Sequence, residues 1–109
     1  MVNKDGKTVA PNVDSFQAAA ANADWAHAPG FYVILANQPG EKSWPMTAAT
    51  FILMYKKPAD VAASNAALKF FEYAYDKGGE MATQLDYIPM PDNVIALVKK
   101  AWSADIEQK

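Results

Sequence analysis

Asp24 and His27, three residues apart in the stretch DWAH, pair a carboxylate with the only imidazole of the chain. That spacing suits a base and its orienting group. No nucleophile stands near them and the stretch reads as a turn, so His27 is taken as a surface histidine. Asp14-Ser15 could meet a ligand, but both residues are explained by the chemistry of a helix's first turn. Glu72, Asp76 and Glu80 recur at four-residue intervals, as paired carboxylates for acid-base work would. Gly78-Gly79 breaks the helix between them, which favours a solvated face. The loop Asn37-Gln38-Pro39-Gly40 has too few glycines for a phosphate cradle, and no Lys-Ser/Thr follows it. Ser43, Thr47 and Thr50 precede an apolar run that reads as a strand. Ligands of α/β sheets gather beyond the carboxyl ends of strands. These three hydroxyls therefore read as strand-start hydrogen-bonding groups, and they are the candidates for an anion contact if the chain makes one. The aromatic row Phe70, Phe71, Tyr73 and Tyr75 could form a binding platform, but its helical spacing reads as core.

Composition narrows the chemistry further. The chain has 109 residues, 51% hydrophobic and 20% charged, with a net charge of −2. This fits one globular domain or a piece of one. All ten basic residues are lysine, so the planar clamp that arginine offers to phosphate and carboxylate is missing. There is no cysteine, which excludes disulfides, thiolate metal sites and cysteine nucleophiles. A single histidine provides no imidazole pair for a metal. No enzyme, metal or cofactor is read from these residues. Basic residues cluster no further than Lys56-Lys57 and Lys99-Lys100, so nucleic acid is not a partner by this reading. MVNKDGKTVAP has no apolar h-region, hence no export signal is expected, and Met1 before Val2 reads as a truncated-frame start. The apolar run Phe51 to Tyr55 is too short to span a membrane.

The elements that must position these residues follow from pattern. Asp5-Gly6 signals a tight turn, and Lys7 to Ala10 a short strand. Pro11-Asn12 opens a helix to Asn22, with Asn12 as its cap. Asp24 to Pro29 turns the chain. Phe31 to Ala36 and Thr50 to Lys56 are nearly continuous apolar runs, the signature of strands covered on two faces. Pro58 to Asp76 is the longest helix, with the stripe Ala67, Phe70, Phe71, Ala74 and Tyr75, closed by Lys77 and a left-handed glycine cap at Gly78-Gly79. Glu80 to Asp86 forms a short helix. Pro91 starts the last one, whose stripe is Val94, Leu97, Val98, Ala101 and Trp102, and the chain frays beyond Trp102. Two strong strands are too few for a sheet, so the sheet expects neighbours from outside this chain.

The ordered stretches DGKTVAP, SFQAAAANADW, NQPGEKSWPMTAATFILMYKK and LKFFEYAYDKGGEMATQLDYIPMPDNVIALVKKAW resemble the C-terminal third of the bacterial periplasmic phosphate-binding proteins, receptors of an ABC transporter. The likeness runs from Asp5 to Trp102. It implies an α/β chain: an incomplete piece of a two-lobed periplasmic binding-protein fold with a helix-rich C-terminal half. By this resemblance residues 1–44 are the end of the second lobe plus a crossover, and residues 45–109 the C-terminal part of the first lobe. The implied role is structural and hinge-forming within a receptor for phosphate import. Inorganic phosphate would bind only together with the missing N-terminal segments, and the parent protein would sit in the periplasm and dock on transporter membrane subunits. The family builds its phosphate site from segments absent here, and no ligand residue is carried over. The competing reading is a stand-alone module that self-associates to cover its apolar faces.

Overall fold

The computed structural model describes all 109 residues. Four helices carry the regular structure: α1 (Val13–Asn22), α2 (Val61–Lys77), α3 (Gly79–Gln84) and α4 (Asp92–Asp105), with a 3-10 turn at Pro29–Phe31. The chain divides into two compact units. Unit one holds Met1–Thr50 and Met90–Val94; unit two holds Phe51–Pro89 and Ile95–Lys109.

In unit one, α1 begins where the sequence puts it. Asn12 Oδ1 accepts from Ser15 N at 2.9 Å and Asn12 N donates to Ser15 Oγ at 3.1 Å, a reciprocal capping box. The alanine run gives α1 a thin inner face, with Ala19 and Ala20 buried. Small side chains let large ones approach. Trp25 folds back so that its Nε1 donates to Ala20 O at 2.7 Å, and Phe16 meets Trp44 with ring centroids 6.2 Å apart. Ala23, Leu35 and Val94 complete the buried apolar set of this unit.

In unit two, α2 starts at Asp60, whose carboxylate accepts from Ala63 N at 2.9 Å. Its buried residues are Ser64 and Leu68. Tyr75 packs against Trp102 of α4 with centroids 5.8 Å apart, and burial pushes the Tyr75 phenol above its ordinary value. The end of the chain returns to this unit: Glu107 N donates to Lys56 O at 2.8 Å, and Lys56 Nζ reaches Asp105 Oδ2 at 3.3 Å.

Several expectations change. No sheet forms: the sole β pairing is an isolated bridge between Val2 and Thr8. The anticipated strands 7–10, 31–36 and 50–56 are unpaired apart from that bridge, because a strand needs an adjacent backbone and none is supplied. The helix-rich C-terminal half is present. The stripe on α2 is covered only in part: Ala67, Phe71 and Tyr75 are half-buried, whereas Ala74 is exposed and Phe70 is 65% exposed. A helix apolar around most of its girth buries whichever face meets a neighbour, here the side of Leu68 and Tyr75. Gly78 is right-handed, at φ −88°, since the chain runs on into α3 instead of reversing. The last helix continues past Trp102 to Asp105 and is tied down by the bonds to Lys56.

Candidate functional site

The most definite polar construction is in unit one, where the N-terminal turn clasps the loop 39–44. Asn3, a buried residue, is its centre. Its Nδ2 donates to Gly40 O at 3.1 Å, Glu41 O at 2.8 Å and Ser43 O at 3.3 Å. Its Oδ1 accepts from Asp5 N at 3.1 Å and Lys7 N at 3.0 Å, the local geometry of an Asx turn. One amide thus satisfies five backbone groups of two segments. The Asp5 carboxylate adds an acceptor for Gly40 N at 3.1 Å.

Ser43, the first of the three hydroxyl candidates, is fully buried. It donates to Pro39 O at 2.7 Å and accepts from Asn22 Nδ2 at 3.3 Å. Gly40 sits at φ +112°, and a Cβ there would lie 2.4 Å from Asn22 Nδ2 and 2.8 Å from Ser43 Oγ. Glycine is required on both counts. Trp44 N donates to Ser15 O at 2.9 Å, which ties the end of the loop to α1. Thr47, half-buried, donates to Trp44 O at 2.9 Å, and Thr50 is exposed. The three hydroxyls do not converge on one point: one is internal, one closes a turn, one faces solvent.

The other candidates are dispersed. Asp24 and His27 do pair, with Nδ1 2.8 Å from Oδ1, but both side chains are largely exposed and nothing reactive adjoins them. Ser15 is consumed by the capping box and by its bond to Ala10 O at 2.7 Å. Glu72 and Asp76 face Lys99 of α4, whose Nζ lies 2.7 Å from Asp76 Oδ1 and 3.8 Å from Glu72 Oε1. The hydrogen bond to Asp76 holds the Lys99 ammonium above its ordinary pKa. No group of three or more histidines, cysteines, aspartates or glutamates could hold a metal.

Helix starts are the natural anion sites of a chain without arginine. Here each is occupied by the chain's own carboxylate: Asp14 in the first turn of α1, Asp60 capping α2, Glu80 in α3 and Asp92 in α4. These charges oppose a second anion at the helix starts, and of the four Asp60 accepts a capping hydrogen bond.

Sequence pattern alone missed Asn3, Asn22 and Lys99. The Asp-Gly turn two residues past Asn3 was a local signal for its Asx role, but its three bonds to residues 40–43 span more than thirty-five positions. Nothing in the local pattern encodes them.

Unit two presents the opposite surface. Phe51 (48%), Ile52 (59%), Leu53 (93%) and Tyr55 (83%) are exposed in one run. Met81, Leu85 and Tyr87 are exposed beyond α2. Two buried oxygens, Ser64 Oγ and Asn65 Oδ1, have no partner within the chain.

The chain is α-helical, with one closed unit and one uncovered unit, and the proteins it resembles in sequence are phosphate-binding proteins. It matches the phosphate-binding protein PstS of Pasteurella multocida at 44% identity over 105 residues, 96% of this chain and 30% of that protein. Against PstS of Haemophilus influenzae it is 42% identical over 106 residues, 97% of this chain and 32% of that one. Against PstS of Xylella fastidiosa strain 9a5c it is 39% identical over 105 residues, 96% and 29% respectively. No family model matches. The chain is similar to one segment of these PstS proteins and spans about 30% of their length.

Proposed function

We propose that this chain is the C-terminal segment of a phosphate receptor for ABC-type import. In this reading residues 1–44 finish the second lobe and enter the crossover, residues 45–109 return into the first lobe, and the clasped loop around Ser43 is part of the hinge. The parent works in the periplasm, holds inorganic phosphate between its lobes and delivers it to transporter membrane subunits. The segment contributes structure and no ligand: its helix starts hold their own carboxylates, Gly40 N is committed to Asp5, and Ser43 Oγ is used in both directions. The observation that carries the reading is the 44% identity sustained over 96% of the chain.

The test is a transplant. The matched 105 residues of the Pasteurella multocida PstS are replaced by this chain, and phosphate binding is measured by calorimetry. The expected result is a folded chimera that binds phosphate, while this chain alone binds none at millimolar concentration. A folded chimera without phosphate affinity overturns the reading. So does tight binding by the chain alone, which would direct mutagenesis to Ser43, Thr47 and Thr50.

A second reading, a self-associating module without ligand, is favoured by the exposed run from Phe51 to Tyr55. Light scattering decides it: a phosphate-insensitive dimer at micromolar concentration supports this second reading, and a stable monomer removes it.

A further inference from the structure

We propose that Asp5-Gly6 is a self-modification site, and that its conversion to an isoaspartyl linkage is a one-way release of the clasp between the N-terminal turn and the loop 39–44. The site is set by the clasp alone and is independent of the receptor reading.

The chemistry needs no other reactant than water. Gly6 N attacks Cγ of Asp5 in its carboxylic acid form. A C–N bond forms, the Gly6 amide proton and the acid hydroxyl leave together as water, and a five-membered succinimide results. Water then adds to one of the two ring carbonyls. Opening at Cγ restores the aspartyl chain. Opening at the main-chain carbonyl of Asp5 leaves the chain running through Cβ and Cγ. That product has the mass of the starting chain, one extra main-chain atom, and its carboxylate directly on Cα. Glycine is the residue that favours ring closure, because no Cβ crowds its nitrogen. Asp5 and Gly6 are both exposed, and a Cβ on Gly6 would meet nothing within 4 Å. The surroundings therefore present no steric bar to the ring.

The clasp is what holds the site shut. The nucleophile is engaged: Gly6 N donates to Asn3 O at 3.0 Å. The electrophile is held elsewhere: Asp5 Oδ2 accepts from Gly40 N at 3.1 Å. Asn3 Oδ1 fixes the flanking peptide units, accepting from Asp5 N at 3.1 Å and from Lys7 N at 3.0 Å. Asn3 N closes the same turn on Lys7 O at 2.9 Å. Ring closure requires Gly6 N to leave Asn3 O and the Asp5 carboxyl to leave Gly40 N, which is a local opening of the turn. The product does not reclose it. The added main-chain atom lies inside the turn from Asn3 to Lys7, and the carboxylate, one carbon nearer the backbone, no longer stands where Gly40 N met it. The backbone groups of Gly40, Glu41 and Ser43 then lose the partners that Asn3 and Asp5 supplied.

The experiment ages the full chain in warm, mildly acidic buffer, where more of a carboxyl is in its acid form. Isoaspartate at position 5 is followed by peptide mapping with electron-transfer fragmentation, which separates isomers of equal mass. The same chain in guanidinium chloride gives the unprotected rate. Asp5→Glu, whose ring would be six-membered, sets the blank. The native chain is expected to convert at least about tenfold more slowly than the unfolded one, and Asn3→Ala to close most of that gap. The converted chain, isolated by chromatography, is expected to have lost hydrogen-exchange protection at the Gly40 amide with its helical circular dichroism unchanged. Equal rates in the native and unfolded chain overturn protection by the clasp, whether or not Asn3→Ala folds. A converted chain that keeps Gly40 protected overturns the release. Absence of isoaspartate at position 5 in the unfolded chain overturns the site itself.

Discussion

The two units solve burial in opposite ways. Seven of the eight buried apolar side chains belong to unit one, from Ala19 through Trp44 to Val94, and only Leu68 to unit two. Unit one also buries Asn3, Ser15 and Ser43 with every polar side-chain atom matched, whereas the two unmatched buried oxygens, on Ser64 and Asn65, are both in unit two. Unit one has less helix but is closed by side chains bonding to backbone. Unit two has most of the helix and an uncovered apolar run. Helix content is therefore a poor guide to which half is complete. A helix satisfies its own backbone, while its side faces still need a neighbour.

That contrast can be broken or sharpened by substitution. Trp44→Ala should have the largest effect, about 3–5 kcal/mol of unit-one stability, read as the urea midpoint by Trp25 fluorescence; a loss under about 1 kcal/mol would show that unit one is not closed around this ring. Asn3→Ala strips five backbone groups of their partner at once and should cost about 3 kcal/mol. A smaller loss, near that of an exposed site, would mean water replaces the clasp without penalty. Gly40→Ala forces a Cβ against Asn22 and Ser43 at positive φ and should cost about 2 kcal/mol, with no change in helical circular dichroism.

Unit two should respond more gently. The pKa of Lys99 is raised in the fold, first by its hydrogen bond to Asp76, so its contribution is complete below its unfolded value of 10.5 and is lost as pH rises through the higher folded one. Stability of unit two should fall in that alkaline window, where the raised phenol of Tyr75 acts in the same direction, and Lys99→Met should lessen the fall; an unchanged pH profile in the variant would assign the titration to Tyr75. Smallest of all, Leu53→Ser should shift stability by under about 0.5 kcal/mol in the isolated chain, because that side chain touches so little.

Local physics made the helices legible. The Asn12 cap, the glycine stop after Lys77, the Pro91 start and the stripe from Val94 to Trp102 each depend on residues within a turn or two of one another. The strands at 31–36 and 50–56 were read from apolar continuity, which reports what a segment is suited to and not whether a partner is present. The same continuity identified them as expecting outside neighbours, and the exposure of Tyr32, Ile34 and Leu53 agrees with that. The exposure of Phe70 within the α2 stripe has the same cause: too many apolar positions, and tertiary contact deciding among them. The Asn3 clasp was illegible because its donor and acceptors are far apart in the chain. The helix-start carboxylates were visible as residues, and became an argument about anions only once the helix ends were fixed.

The run Phe51–Tyr55 has a consequence for the protein's lifetime. Five apolar residues without proline or glycine, unpaired and open to solvent, make a seed for cross-β stacking. Lys56 and Lys57 follow at once, and paired charges beside such a run act as gatekeepers that oppose like-on-like assembly. That protection is electrostatic, so salt weakens it. A copy left without its cover is thus a metastable solute: soluble while its lysines repel their counterparts, and drawn towards fibrils or proteolysis as ionic strength and concentration rise.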